Sequence, residues 1–301
     1  MHNISVLIPC YNCSCTDEVN SIWRQLKAME EEKKDFAWEI IVAEDGSTDE
    51  ECLKENSKIN SLEGVRYLPR KENVGRAAIR NFLAREAQYE WLLFMDSEIC
   101  IEHSTFLSKY LNTINDVPDY KVFVGGVRIF GNAMTFRNNL RYMYEKAAEG
   151  SHSRTKRQKH EYREFRTTNF VISRETMLEC TFDENFTNYG FEDVLFGKTL
   201  KEKGYGIKHI TNPITYNDYE DNETFVSKTE ESLRTLYQFR KQLRGYSKLL
   251  TYANIIRYTG LAPLFKIMYN IFGKTIRKNL AGNKPRLSWF NKYKLLYYLS
   301  L

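Results

Sequence analysis

Apolar runs of strand length alternate with amphipathic stretches through the first hundred positions. Ile4–Ile8, Trp38–Ala43 and Trp91–Met95 are dominated by large apolar residues, and Val65–Leu68 is a shorter piece of the same kind. Such runs suit strands covered on both faces. Between them the period changes. Val19, Ile22, Trp23, Leu26 and Met29 recur at three-and-four spacing and predict a helix over Asp17–Lys33. Ala77, Ala78, Ile79, Phe82 and Leu83 predict another, opened by Asn73-Val74-Gly75-Arg76. Ser47, Thr48 or Asp49 can cap a third, between the second and third strands. Strand and helix in strict alternation predict an α/β fold with a parallel, doubly wound sheet.

Beyond Ile101 the pattern loosens. A helix is expected near Ser104–Asn115, one or two strands within Tyr120–Gly131, and a helix at about Phe136–Glu149. Gly150–Arg163 is polar, basic and without period, so it reads as a mobile loop: a surface connection, or a lid whose cations close over phosphates. Arg166–Ser173 reads as a strand. Gly190 breaks the chain before an amphipathic helix with Glu192 and Asp193 in its first turn. Ile207–Ile210 and Pro213–Tyr216 are short extended pieces, and Glu223–Arg244 is a long, mostly polar helix.

Charge divides the chain. The net charge of +5 combines a body of 30 basic and 39 acidic residues with a segment, Ser232–Leu301, that holds 14 Lys/Arg and no acid. This segment interleaves apolar, aromatic and basic residues on both sides of Pro263. Basic amphipathic helices rich in aromatics suit an anionic membrane surface; packing on the body or dimerisation is the plainer alternative. No nucleic-acid module is present. No leader-like pattern precedes the first strand, and no run of about 18 uncharged apolar residues suggests a span. The expectation is a cytoplasmic protein, peripheral on the inner face of the cell membrane. Cys10, Cys13 and Cys15 lack the second ligand pair of a zinc site, so the six cysteines read as reduced thiols.

Three of the strands end in polar or acidic residues: Pro9-Cys10-Tyr11-Asn12, Glu44-Asp45-Gly46 and Asp96-Ser97-Glu98. In an open α/β sheet, ligands bind beyond such carboxyl ends. In an extended chain Asp96 and Glu98 would lie on one side, able to share a hard divalent cation or simply to cap a helix. Neither G-x-G-x-x-G nor a P-loop follows the first strand, which disfavours NAD, FAD and a P-loop nucleotide site.

The order of these signals resembles the inverting family 2 glycosyltransferases of the GT-A fold. The matching pieces are Val6-Leu7-Ile8-Pro9-Cys10-Tyr11-Asn12, Ala43-Glu44-Asp45-Gly46-Ser47-Thr48-Asp49, Asn73-Val74-Gly75-Arg76-Ala77-Ala78-Ile79-Arg80-Asn81, Met95-Asp96-Ser97-Glu98 and Gly190-Phe191-Glu192-Asp193. The resemblance implies a Rossmann-like, mostly parallel sheet flanked by helices over 1–222, with a nucleotide half of about 1–100 and an acceptor half of about 101–222. A helical C-terminal extension occupies 223–301. It implies that Asp96-Ser97-Glu98 binds Mn or Mg and the donor diphosphate, with Glu98 replacing the usual second Asp. Pro9 and Tyr11 would pack on the nucleotide base, and Asp45 would read it. Arg76 and Arg80 would flank the nucleotide. Thr168 and Asn169 would line the acceptor and donor-sugar side. Asp193 would be the general base, with Glu192 beside it as a possible acceptor contact.

The implied activity is metal-dependent transfer of a hexosyl or N-acetylhexosaminyl group, from a UDP-sugar to a glycan or lipid-linked glycan, in polysaccharide or cell-surface glycan biosynthesis. The alternatives are a nucleotidyltransferase that makes the donor, or a non-catalytic glycan-binding or membrane-associated protein. Many relatives carry a metal-binding His after an Asn-Pro. Here the segment is Asn212-Pro213-Ile214-Thr215-Tyr216-Asn217, with Tyr216 at about that place, and His209 lies on the other side of the Asn-Pro.

Overall fold

The structure is a computed structural model describing residues 2–33, 35–216 and 219–301. Asn217 of the Asn-Pro segment lies outside the described residues. Inside the sheet β1 (Ile4–Cys10) is flanked by β2 (Trp38–Asp45) and β4 (Trp91–Met95), both parallel to it. β3 (Val65–Arg70) extends the parallel set on the β2 side. Beyond β4, β8 (Asn169–Ser173) runs antiparallel, followed by β6 (Val122–Val124) and β9 (Ile207–His209). The seven-stranded order is β3-β2-β1-β4-β8-β6-β9. The chain leaves β1 to one side for β2 and returns on the other for β4. Their carboxyl ends therefore flank the point where the strand order reverses, the position that opens a crevice.

Alternation along the strands builds two cores. Leu7, Ile41, Leu92 and Phe94 point to one face, where they pack with α3 (Gly75–Glu86), α7 (Arg174–Glu179) and α8 (Glu192–Glu202). Val6, Ile8, Ile40, Val42, Leu93 and Met95 point to the other, against α1 (Thr16–Glu32) and α4 (Phe106–Asp116). A one-residue register slip would exchange the two sets. Each of these side chains is fully buried, and burial of a large apolar side chain contributes about 1.5–3 kcal/mol. Between β2 and β3, Asp49 caps α2 (Glu50–Asn56) by accepting from the Glu51 and Cys52 amides.

A second, three-stranded sheet joins β5 (Ile99–Cys100), β10 (Ile214–Tyr216) and β7 (Val127–Arg128). The segment expected to be a mobile loop instead contains α6 (Arg154–Lys159) and is pinned by Arg157. That buried guanidinium donates to the carbonyls of Val124, Gly125 and Ile210, and to His209 Nδ1 at 2.8 Å. Gly126 makes room for it: a Cβ there would lie 2.7 Å from Arg157 Nη2.

The C-terminal segment is helical. α9 (Asn222–Gln238) packs on α5 (Leu140–Ala148), and α12 (Leu287–Ser300) buries Phe290 and Tyr293 against both. α10 (Lys248–Tyr258) and α11 (Ala262–Leu280) lie between them in sequence. Arg277 ties α11 to Glu223 and Glu230 of α9, at 2.6 and 2.9 Å. Pro263 sits in the first turn of α11, where its missing N–H breaks no helical hydrogen bond. Among the described residues no helix is long and apolar enough to cross a membrane.

Candidate active site

The loops after β1 and β2 and the start of α3 are laced together by hydrogen bonds from backbone amides to side chains. Asn12, at φ +51, accepts the Thr48 and Asp49 amides and donates its own amide to Ser47. This couples the loop bearing Pro9 and the exposed Tyr11 to the loop after β2. Asp45 is buried and accepts from Val74 N at 2.8 Å and Gly75 N at 3.0 Å. It thus anchors the start of α3, with one lone pair left on each oxygen. Glu44 is fully buried, accepting from Ser47, Asn56 and Tyr67, and so supports the loop from within.

α3 projects two arginines to the end of β4. Arg80 Nη2 lies 2.5 Å from Asp96 Oδ1, and Arg76 Nη2 lies 3.2 Å from Oδ2. Burial by itself would raise the Asp96 pKa; the two guanidiniums outweigh it and hold the carboxyl below its ordinary range. Arg76 also meets Glu192 through Nε at 3.1 Å and stacks over the Tyr189 ring. A continuous ion chain therefore runs from Asp96 through Arg76 to Glu192, whose neighbour is Asp193.

Glu192 and Asp193 open α8, where the helix dipole favours carboxylates. The turn before them is strained: Gly190 has φ +98 and Phe191 φ +70. Helix α9 holds that turn. Glu231 accepts the Tyr189 amide, Thr235 donates to the Tyr189 carbonyl, and Gly190 packs directly on Ser232. Arg166 approaches Asp193 Oδ2 to 3.6 Å. Burial raises the Asp193 pKa, Arg166 pulls it down and Glu192 pushes it up, with a net upward shift. A carboxylate so placed is a stronger proton acceptor than a solvated one.

The end of β4 departs from the extended chain expected through Asp96–Glu98. β4 stops at Met95, and Glu98 takes φ +62. Two hydrogen bonds bend the loop: Asp96 N donates to the Thr168 carbonyl, and Glu98 N donates to the buried Glu18 carboxylate of α1. Ser97 accepts from the Cys13 thiol at 3.0 Å, tying this loop to the β1 loop. The exposed Glu98 carboxylate has no hydrogen bond or ion pair among the described residues. It is a free hard oxygen donor, whereas Asp96 is already neutralised by arginine. Among the described residues no three His, Cys, Asp or Glu side chains are grouped as a metal site. A divalent cation here would draw its remaining ligands from phosphate and water, as Mg²⁺ commonly does.

Two other residues are occupied elsewhere. Asn169 is buried and accepts from Tyr110 while donating to the carbonyls of Gly126 and Asn212. His209 is fully buried, with Nδ1 facing Arg157 and Nε2 facing the Glu161 carbonyl. Both ring nitrogens are engaged, which removes it as a metal ligand. Burial, reinforced by Arg157, lowers its pKa to about 4. Sequence reasoning passed over Tyr189 and Arg166, and also Arg141, which stacks on Tyr216 and meets Glu220 at 3.4 Å. Clustered arginines and tyrosines between residues 137 and 220 were the available signal.

The fold and this ion chain bear on one family. The model described as "Glycosyl transferase family 2" matches residues 5–182. The chain belongs to that family. This glycosyltransferase is 25% identical over 255 residues to the chondroitin synthase of Pasteurella multocida (strain Pm70), a match covering 73% of the chain. The chain spans about a quarter of that relative's length. Among solved structures, residues 1–349 of S. aureus TarS superpose with a TM-score of 0.52 at 17% identity, covering 99% of this chain and 89% of that one. The mannosyltransferase PcManGT from Pyrobaculum calidifontis, in complex with GDP-Man and Mn²⁺, superposes with a TM-score of 0.55 at 13% identity, covering 98% and 84%. At these identities the likeness is one of GT-A-like fold.

Proposed function

We propose that the transferase moves a hexosyl or N-acetylhexosaminyl group from a UDP-sugar to a glycan or lipid-linked glycan, with inversion at the anomeric carbon. The observation that carries this reading is the ion chain Asp96–Arg76–Glu192 beside Asp193. It links the strand end assigned to the diphosphate to a partly buried carboxylate whose pKa is raised. Asp45 and Tyr11 are assigned to the uracil and Thr168 to the sugar side; UDP is also the ligand of a TarS complex of the same fold.

In the proposed reaction Asp193 takes the proton of the acceptor hydroxyl while its oxygen attacks the anomeric carbon. The bond from that carbon to the diphosphate oxygen breaks, and UDP leaves. Arg76 and Arg80 hold Asp96 in place and present positive charge toward the departing phosphates. Glu98, with Asp96 behind it, would hold Mn²⁺ or Mg²⁺, which when bound offsets charge on the leaving diphosphate. The Mn²⁺ complex of the mannosyltransferase supports that assignment. Residues 1–222 are assigned the chemistry and 223–301 a peripheral position on the inner face of the cell membrane, suited to polysaccharide or cell-surface glycan assembly.

The test is release of UDP from a panel of UDP-sugars, with and without Mn²⁺ or Mg²⁺, in the wild-type protein and in Asp96→Asn and Asp193→Asn. Metal-dependent release that both substitutions abolish is expected. Release unaffected by either would overturn the reading.

A further inference from the structure

The C-terminal aromatic and basic residues look alike in sequence, but the fold separates them into two classes. On α12, Phe290, Tyr293 and Tyr298 are buried against the body. On α10 and α11, by contrast, Tyr252, Ile255, Leu264, Ile267, Ile271 and Phe272 are 51–62% exposed. Leu264, Ile267, Ile271 and Phe272 follow the three-and-four spacing of a single helix face. Gly273 and Leu280 of the same helix are buried, with Tyr269 and Ile276 packed on the Phe290–Tyr293 cluster. α11 is therefore apolar on two faces, and the protein covers one of them. A soluble chain seldom exposes a contiguous apolar stripe of this kind without a partner for it.

Charge selects the partner. Lys266, Lys274 and Lys278 of α11 are exposed beside the stripe, and no acid occurs from Ser232 to the C-terminus. A two-fold dimer through this face would set the same acid-free, cationic patch against itself. A surface of anionic headgroups over acyl chains complements both features: apolar side chains enter the boundary and lysines meet phosphates. We infer that the outer face of α10 and α11 is a docking surface for anionic phospholipid, with both helices lying in the membrane plane. The inference rests on the peripheral position proposed above and gives it a surface; it does not depend on the sugar chemistry.

The test is co-sedimentation of the full chain with vesicles of phosphatidylcholine alone and of phosphatidylcholine with phosphatidylglycerol. Wild-type protein should bind the anionic vesicles and largely ignore the neutral ones. The triple substitution Ile267→Ser, Ile271→Ser, Phe272→Ser should weaken binding about tenfold or more, because each side chain loses its apolar burial. Lys266→Gln, Lys274→Gln, Lys278→Gln should weaken it with a shallower salt dependence. Wild-type protein left in the supernatant, or a serine variant that binds as well as wild type, would overturn the inference. So would a concentration-dependent oligomer that the serine variant abolishes while vesicle binding is absent. UDP release without vesicles reads the chemistry separately. Equal rates in wild type and serine variant support a role confined to docking. A wild-type protein that binds vesicles yet turns over no donor contradicts the transfer reading and supports this one.

Discussion

Arg80 Nη2 sits 2.5 Å from Asp96 Oδ1, and the arginine is 1% exposed. The pair fixes the end of β4 to α3 beneath the proposed site. Breaking a buried pair by removing one partner costs about 3–5 kcal/mol, since the other charge is stranded. Arg76 still meets the partly exposed Asp96, so Arg80→Met is expected to lose stability at or below the low end of that scale in urea unfolding. Adding Asp96→Asn to Arg80→Met should cost less than the sum of the two single changes, because the stranded charge is gone. Strict additivity would contradict the pairing.

Arg166 offers a sharper probe of Asp193. Burial raises the Asp193 pKa and Arg166 opposes that rise. The proposed base works deprotonated, so activity should be lost as pH falls through its pKa. Removing the guanidinium in Arg166→Gln raises that pKa further and should move the acid limb of the kcat/KM profile to higher pH. At alkaline pH, where Asp193 is ionised in both proteins, the rates should converge. A limb that stays in place would separate Arg166 from the base.

Much of the fold over residues 1–100 was legible in sequence. Ile4–Ile8, Trp38–Ala43 and Trp91–Met95 are buried on both faces, and such strands announce themselves as apolar runs. Beyond residue 101 most elements were legible as well, among them α4, α5, β8, α8 and α9, but the way they pack together was not. Arg157 is held mainly by carbonyls of Val124, Gly125 and Ile210, far from it in sequence. Nothing in a basic run reveals that one member will be swallowed by a sheet end. The bend at Glu98 depends on Glu18, eighty residues earlier. The six-residue helix α7 is too short for a period to show. Aromatic residues of α11 and α12 share one composition, and only packing distinguishes buried Tyr293 from exposed Phe272.

Position 190, in the turn before the proposed base, should tolerate no side chain. Gly190 has φ +98, and a Cβ there would fall 2.7 Å from that of Ser232. Gly190→Ala meets both backbone strain and a clash with α9. It is expected to cost about 1–3 kcal/mol and to lower kcat more than it raises KM, since the turn aims Asp193. Wild-type kcat in this variant would show that the turn does not position the base.

The imidazole of His209 should remain neutral at pH 6. Its folded pKa is depressed to about 4. Between pH 6.5 and 4 the unfolded chain binds a proton that the native ring refuses, so this group's stabilisation is present at neutral pH and fades on acidification. The gap corresponds to about 3 kcal/mol. NMR of the ring should show no protonation down to pH 5; a midpoint near 6.5 would contradict the buried Arg157–His209 arrangement.

The most direct measurement is the rate of UDP release from the preferred UDP-sugar, with acceptor and Mn²⁺, in wild type and in Asp193→Asn. Asparagine keeps the size of the side chain and removes its basicity. The account predicts a fall in kcat of about 10²–10⁴, with the KM for the donor little changed. A kcat within a few-fold of wild type would contradict it.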